Sequence, residues 1–514
     1  MPHTTDSAAQ VERIARQIVR RLQEAGHEAV YAGGCVRDML RNVPPHDYDV
    51  ATSARPEQVQ ALFRRTVAVG AQFGVISVLE NETEVQVATF RSDGDYTDGR
   101  HPESVRFSGA QEDALRRDFT INGLFFNPSD GSLSDYVGGQ ADLKAGLLRA
   151  IGDPELRFAE DRLRMLRAVR FATILGFEIE PATWAAVLKN APAIRNVSAE
   201  RIREELLKTL LSPHRVRGFD LLDASGLLHQ ILPEMEALKG CEQPPQFHPE
   251  GDVWVHTRLM LSMLPENTST PLLLSVLFHD IAKPATYSFD PAEGRIRFSG
   301  HEKVGAQMTE AILTRLRFPR RDIDATVEAV SNHMAFKDVQ KMRVSRLKRF
   351  LARPTISDEL ALHRIDCASS NGDLSNYTFL NRKLEEFSQA PLIPPPLLTG
   401  RDLLELGLAP GPGFKAVLEE AQSRQLEGAL STRDAALEWA RENAPALLAG
   451  SGARGTAAGK SARAPEKTPG AAAPAPAAAP AQAAAPAQAA APAQAVAPAQ
   501  AAATPQAAAP AQRE

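Results

Sequence analysis

Short β-rich apolar runs bounded by Gly, Pro and Asn occupy about the first 150 residues, and from Glu155 onward apolar positions recur with helical spacing. Alternation predicts strands in "EAVYAGG" and "HDYDVAT". Three more β-rich runs follow in "TVAVGAQFGVISVLENETEVQVATFR", separated by Gly and by "NET". "RPEQVQALFRR" predicts a helix with Pro in its first turn, "EDALRRD" another, and "INGLFFNPSDGSLSDY" a hairpin turning at Ser129–Gly131. At the start, "MPHTTDSAAQVERIARQIVRRLQEAG" has the periodicity of an amphipathic helix and lacks the apolar core of a signal peptide. Later helix starts are marked by "SAER", read as a capping box, and by Pro213. The pattern describes a small α/β head followed by a long all-α body. From about Ala449 the chain becomes Ala/Pro-rich, with no large side chains to bury and frequent Pro, and is expected to be disordered.

At 514 residues the chain exceeds a single core, so about two to four domains are expected. No apolar run approaches the roughly 20 residues needed to span a bilayer. Cys35, Cys241 and Cys367 match no metal-ligand or redox spacing, which predicts a reduced, cytoplasmic protein with no membrane partner. The net charge of −5 does not advertise a nucleic-acid binder, yet binding depends on where positive charge sits. Two basic clusters stand out: Arg157, Arg162, Arg164, Arg167 and Arg170, and then Lys341, Arg343, Arg346, Lys348 and Arg349. The alternative for each is a solvated helix face.

The stretch "GGCVRDMLRNVPPHDYDVAT", from Gly33 to Thr52, carries the first candidate chemistry. Side chains two apart in a strand share a face, so Asp47 and Asp49 present two carboxylates together while Tyr48 points away. Hard divalent cations take oxygen ligands, and such ions activate an attacking hydroxyl and stabilise a leaving pyrophosphate. Gly33 and Gly34 let backbone amides approach phosphate, "CVRDML" opens a helix at that point, and Arg37 adds a cation.

The order Gly-Gly-x-x-Arg-Asp, then Asp-x-Asp, resembles the nucleotidyltransferase superfamily, in the class II branch that holds tRNA CCA-adding enzymes and bacterial poly(A) polymerases. "VATFRSDGDYTDGRHP", "EDALRRDFTINGLFF", "DPELRFAEDRLRMLRAVRFA" and "SAERIREELLKTLL" follow in the family's order, so the resemblance runs from about Gly33 to Leu211. It implies an α/β, polymerase β-like head with a small mixed sheet, Mg²⁺ at Asp47 and Asp49, and a triphosphate beside Gly33, Gly34 and Arg37. It also implies nucleotide contacts from Arg117, Asp118 and Asn122, with Arg167 and Arg170 joining the nucleotide-binding set. Where the family commonly has a third carboxylate before Val-Ala-Thr, this chain has Gln86; Glu84, two residues earlier on the same face, is the candidate substitute.

Glu160-Asp161-x-x-Arg164 is expected on a helix, with Asp161 and Arg164 on one face. Asp accepts and Arg donates. Cytosine and adenine each show an amino donor beside a ring-nitrogen acceptor, which fits such a pair, whereas uracil and guanine leave like groups facing each other. The resemblance assigns base reading to these two residues, so protein side chains choose the nucleotide and no template is needed. The alternative is an ordinary salt bridge on a helix surface.

Farther on stand His256, "LFHDIAKP" with His279 and Asp280, "SGHEKVGA" with His301, "SNHM" with His333, and "LHRIDCASSNG" with Asp366. A His, an adjacent His-Asp and a distant Asp resemble the HD phosphohydrolase superfamily, in which these four hold a divalent metal. His301 and His333 are candidates for a second ion or a phosphate contact, and Lys283 is a further phosphate candidate. Imidazole with carboxylate suits Mn, Ni, Fe or Zn better than Mg alone.

The expected organisation is a nucleotidyltransferase head at 1–150, a helical neck at 151–240, an HD domain at 241–390, a helical module at 391–448 and a disordered tail at 449–514. The expected activity is addition of C and A to tRNA 3′ ends from CTP and ATP. The HD domain is expected either to hydrolyse phosphoesters such as 2′,3′-cyclic phosphates or to bind metal without catalysis. CC-only, A-only and poly(A) addition share the polymerising chemistry; a reading of another class is an HD phosphohydrolase whose head binds RNA.

Overall fold

The computed structural model of the protein describes residues 4–68, 74–94 and 104–455. Its head is built on a seven-stranded mixed sheet. In chain order its elements are helix α1 (Thr4–Glu24), β1 (Ala29–Ala32), α2 (Gly34–Leu40), β2 (Val50–Thr52), α3 (Pro56–Leu62), β3 (Thr66–Val67), β4 (Val75–Glu80) and β5 (Thr83–Thr89). A separate two-stranded ribbon, β6 (Arg91–Asp93) with β7 (Val105–Phe107), precedes α4 (Ala110–Leu115). The hairpin β8 (Leu124–Phe126) and β9 (Leu133–Asp135), then α5 (Gly139–Ala145), complete the head. The sheet order is β3-β4-β5-β2-β1-β8-β9, with β2 and β5 parallel and the other pairs antiparallel. The β4–β5 hairpin closes through Asn81 and Glu82, both at positive φ (47° and 63°), as the right-handed twist of a two-residue hairpin demands.

Strand alternation divides the sheet into two working faces. Tyr31, Val50, Ile76, Val78, Val85 and Val87 pack on one side with Ile14, Ile18 and Leu22 of α1, Val36 of α2 and Val59 of α3. On the other side Val30, Ala32, Ala51 and Phe125 pack with Ala110 and Ala114 of α4. Strand β2 is shorter than the alternation predicts. Asp47 and Asp49 lie in the chain just before it, although the pattern continues, with Tyr48 and Val50 buried and both aspartates exposed. The segment Asp95–Pro102 of "VATFRSDGDYTDGRHP" lies outside the described residues.

Past the head the protein is almost wholly helical, as expected. A single core runs from Phe119 and Leu166 through Leu227 and Leu273 to Ile365, so the neck and the segment that follows are packed as one body. A smaller cluster gathers Phe336, Leu347, Phe350 and Leu380, and another joins Leu398, Leu403, Val417 and Ala440 near the C-terminal end. Three local expectations fail. Asp161 is not on a helix: α6 (Pro154–Glu160) ends before it and α7 (Arg164–Leu175) starts after it. The cause is local, because the Asp161 carboxylate accepts the Leu163 amide at 3.0 Å, an Asx turn that competes with helix. "SAER" does start the helix Ala199–Leu210, but the Ser198 side chain makes no cap bond, and the third helical position is Arg201, which cannot complete the box. The final helix, Arg433–Gly455, continues past Ala449, where disorder was expected to begin; residues 456–514 lie outside the described residues. No helix among the described residues is long and apolar enough to cross a membrane.

Gly139, at the start of α5, tests the packing between the head's last helix and the turn that carries Asn122. A Cβ there would stand 2.2 Å from the Thr120 carbonyl oxygen. Gly139→Ala is expected to cost about 1–3 kcal/mol and lower the melting temperature, since backbone must move. Gly400→Ala, which meets nothing within 4 Å, should leave the melting temperature unchanged.

Candidate active site

The first candidate site is a cleft of about 570 Å³ between head and neck. Gly33, Gly34, Arg37, Asp47, Asp49, Arg117, Asp118, Asn122, Asp161, Arg164, Arg167 and Arg170, scattered over 138 positions of sequence from Gly33 to Arg170, all line it. Arg116 and Phe171 line it too and were not singled out from the sequence.

Each element delivers its residues for a local reason. Gly33 caps α2 at φ 74° and ψ −127°, a conformation other residues resist, and a Cβ there would come within 2.8 Å of the Arg117 guanidinium. The glycine therefore both turns the chain and lets Arg117 lie against it. Asp47 and Asp49 leave the sheet on the α4 face. Asp49 opens to the cleft, yet the protein around it desolvates its carboxyl; this, and then the neighbouring Asp47 charge, push it up to about 6, opposed by Arg117. A carboxylate raised in this way beside a second one marks a deficit of positive charge and an all-oxygen donor set, which fits a hard divalent ion.

On the opposite wall the groups hold one another. Arg37 donates to the Asn122 side-chain oxygen (2.8 Å), Asn122 donates to Asp118 (3.0 Å), and Arg167 pairs with the other Asp118 oxygen (2.7 Å). Burial alone would raise the Asp118 carboxyl, but Arg167 and the Asn122 bond outweigh it and hold it down at about 2. Arg117 is braced by both a bond to Asp113 (3.0 Å) and one to the Asn122 carbonyl (3.2 Å). The Phe171 ring lies under three guanidiniums, those of Arg37 (5.3 Å), Arg167 (5.2 Å) and Arg170 (4.4 Å). Its signal in the sequence was hidden, since an aromatic in a helical apolar run reads as core.

Asp161 and Arg164 reach the same cleft, joined by a backbone bond from the Arg164 amide to the Asp161 carbonyl (3.0 Å) but with side chains that do not bond each other. Arg201 pairs with Asp161 (2.8 Å), while Arg164 donates to Glu160 (2.6 Å) and to the Arg157 and Arg116 carbonyls (3.1 and 3.2 Å). The helix-surface salt bridge between Asp161 and Arg164, the alternative, does not form; Arg164 is buried and pairs instead with Glu160 across the break between the two helices. The register pairs Val50 with Val87, so Gln86 and Asp49 each precede a paired residue, and Glu84 lies two residues farther back on the same face of β5 as Gln86. Neither lines the cleft, and among the described residues Glu84 does not complete a three-carboxylate group with the aspartates.

A second centre lies in the helical body. His256 sits in the helix Val253–Ser262, His279 caps Thr270–Phe278 with Asp280 next, and Asp366 lies on Ile356–Ser369. His301 opens the helix His301–Arg315, and His333 follows Arg320–Asn332. His279, His301 and His333 each direct Nδ1 to a backbone carbonyl, of Val276 (3.1 Å), Phe298 (2.8 Å) and Val330 (2.7 Å). His256 directs Nδ1 to Glu250 (2.6 Å). With Nδ1 engaged in this way, each ring turns its Nε2 inward. The His256 and His279 Nε2 atoms are buried without a hydrogen bond, and those of His301 and His333 face each other at 3.0 Å. Asp366 stands 3.2 Å from His256 Nε2, and Asp280 is 3.1 Å from His279 and 3.4 Å from His301. Inward lone pairs with two carboxylates are what a divalent metal needs, and the mixed N/O set fits a transition ion. Burial drives the His333 imidazole down to about 4, keeping it a neutral donor. Glu250, His248 and Gln243 were missed from sequence because they lie in the irregular stretch "GCEQPPQFHPEGD". Lys283 is buried against Asp280 (2.7 Å) and Gln243 (2.6 Å).

Mn²⁺, Ni²⁺, Fe²⁺ or Zn²⁺ should therefore raise the melting temperature, with stabilisation of about 2.7 kcal/mol at a hundred times the dissociation constant. His279→Ala should abolish that rise while leaving any effect of CTP on melting intact.

Comparison with known proteins matches the segments that carry both centres. Residues 29–149 match the "Poly A polymerase head domain", residues 176–239 the "Probable RNA and SrmB- binding site of polymerase A", and residues 253–368 the "HD domain". The CCA-adding enzyme of Limosilactobacillus fermentum is 46% identical over 217 residues, covering 42% of this chain and about half (54%) of that protein's length. Among solved structures, that of the Bacillus stearothermophilus CCA-adding enzyme in complex with CTP superposes with a TM-score of 0.63 at 25% identity, covering 86% of this chain and 98% of that one. The Thermotoga maritima CCA-adding enzyme complexed with tRNA shares the fold, with a TM-score of 0.53 at 19% identity over 86% of this chain and 95% of that one. The CCA-adding enzyme of Levilactobacillus brevis is 34% identical over 428 residues, 82% of this chain and 96% of that protein, and a match of that extent means that this chain belongs to the CCA-adding enzyme family.

Proposed function

We propose that the protein is a template-independent nucleotidyltransferase that adds C and A to tRNA 3′ ends from CTP and ATP in the cytoplasm, releasing pyrophosphate. The observation that carries this reading is the convergence in one cleft of paired carboxylates, a glycine turn, a guanidinium wall and the Asp161/Arg164 couple. The head (1–150) supplies the chemistry and the neck (151–240) the base and RNA contacts.

Asp47 and Asp49 would hold Mg²⁺, which supplies Lewis acidity toward the attacking hydroxyl and the leaving pyrophosphate. Arg37, Arg117, Arg167 and Arg170 bind the triphosphate, their positions fixed beforehand by Asn122, Asp113, Asp118 and Phe171. The RNA 3′ oxygen forms a bond to the α-phosphorus, the bond to the bridging oxygen breaks, and the hydroxyl proton is released to solvent. Asp161 accepts from the base amino group and Arg164 donates to the ring nitrogen. Both retain capacity: each carboxylate oxygen accepts a second bond, and the guanidinium has five N–H groups.

The bare buried Nε2 atoms of His256 and His279 favour a second activity in the HD segment, hydrolysis of phosphoesters such as 2′,3′-cyclic nucleotides with a bound transition metal. Its absence with every divalent metal would leave an idle metal-binding domain.

The function is tested by incubating the protein with tRNA lacking zero, one, two or three terminal nucleotides, supplying CTP, ATP and UTP singly and together. Products should stop at CCA. CC-only, A-only or unlimited A products would replace this reading with the corresponding alternative, and no addition at all would favour an HD phosphohydrolase with an RNA-binding head. Asp47→Asn should lower kcat by about a thousandfold, the scale of several kcal/mol of lost charge stabilisation. Asp161→Ala should instead erode the preference for CTP over UTP; full retention of that preference would remove Asp161 from base reading.

A further inference from the structure

Between His333 and Arg353 the chain carries seven Lys and Arg against one acidic residue, in a protein of net charge −5. Three of the seven are engaged by the fold. Lys348 donates to the Leu426 carbonyl (3.0 Å), Arg349 to Ser423 (3.0 Å), and Arg353 pairs with Glu359. Four are not engaged in this way. Lys337, Lys341, Arg343 and Arg346 are exposed. Lys341, its side chain 84% exposed, has a loose pair with Asp338 at 3.6 Å, and the other three have no acidic partner among the described residues.

Lys341, Arg343 and Arg346 line a groove of about 490 Å³, together with Asp338, Met342 and Ser345. The groove lies between the 3₁₀ segment His333–Lys341 and the helix Val344–Leu351. Asp338 is one carboxylate against three cations, so a fold that fastens Lys348 and Arg349 yet leaves these three facing a groove has positive potential to offer. Guanidiniums match phosphate in shape and charge. No aromatic ring lines the groove, so it is suited to a backbone and not to stacked bases. The apolar face of the helix, Leu347, Phe350 and Leu351, is buried, which removes the surface that an interfacial helix would insert into lipid.

We propose that this groove is an RNA-docking site that holds about three backbone phosphates of tRNA, outside residues 176–239 and without sequence preference. It rests on the reading of the protein as acting on tRNA. The 3₁₀ segment that forms one wall of the groove begins at His333, so the groove and the HD centre are joined by this one segment.

The test uses the full chain with Lys341→Ala, Arg343→Ala and Arg346→Ala combined, and reads tRNA binding by fluorescence anisotropy between 50 and 200 mM salt. Loss of three phosphate contacts should flatten the slope of log K against log salt by about 2 to 3. The KM for tRNA should rise, while the KM for CTP and kcat at saturating tRNA stay unchanged. Lysine at positions 343 and 346 (Arg343→Lys, Arg346→Lys) should keep the wild-type slope. An unchanged slope in the alanine variant overturns the proposal while wild-type nucleotide addition leaves the functional reading standing. The converse result, groove-dependent RNA binding without nucleotide addition, would sink the functional reading alone. Binding to phosphatidylserine vesicles that the three substitutions abolish, with tRNA binding untouched, would overturn the proposal in favour of a membrane contact.

Discussion

Six guanidiniums and four carboxylates share the cleft between head and neck, and the structure depends on keeping them apart and in place. Gathered without order, such charges would repel or collapse into internal pairs that leave nothing for a ligand. Asp118 settles the balance: buried and ionised, it takes Arg167 from the neck and Asn122 from the head, and through Asn122 it reaches Arg37. The head–neck joint is thus also the wall of the site. A buried charge of this kind is costly unless paired, so the pairing fixes the joint as firmly as it fixes the arginines.

The two halves of the cleft solve opposite problems. Asp47 and Asp49 stand at the end of a short strand with too little positive charge beside them, which readies them for a cation. The arginine wall carries excess positive charge, spread over Phe171, which readies it for an anion. A metal-bound triphosphate supplies both complements, so its binding relieves two electrostatic tensions at once.

Much of this was legible in the chain. The sheet and its hairpins followed from alternation, and Asp47 and Asp49 kept their common face although the strand formed only after them. What escaped was decided by single side-chain bonds. Helical spacing runs unbroken through Glu160 and Arg164, and nothing in it discloses that Asp161 would bond the Leu163 amide and open the helix. Ser198 looked like a capping residue, but Arg201 at the third position turned to Asp161 instead. Glu250, which orients His256, sits in a segment with no periodicity at all, where pattern has nothing to say about partners. Gln86 precedes Val87, the partner of Val50, yet it remains outside the cleft, and among the described residues Glu84 does not enter it either.

The uninterrupted core from Phe119 to Ile365 has an architectural consequence. A chain cut after the neck would expose Phe219, whose ring now stacks on Trp254 at 4.6 Å. The histidine-bearing segment is therefore not a passenger that gene fusion could add or remove at will. Its helices are part of the core against which the neck packs, so they would remain necessary to the neck even in a chain whose histidines were all replaced.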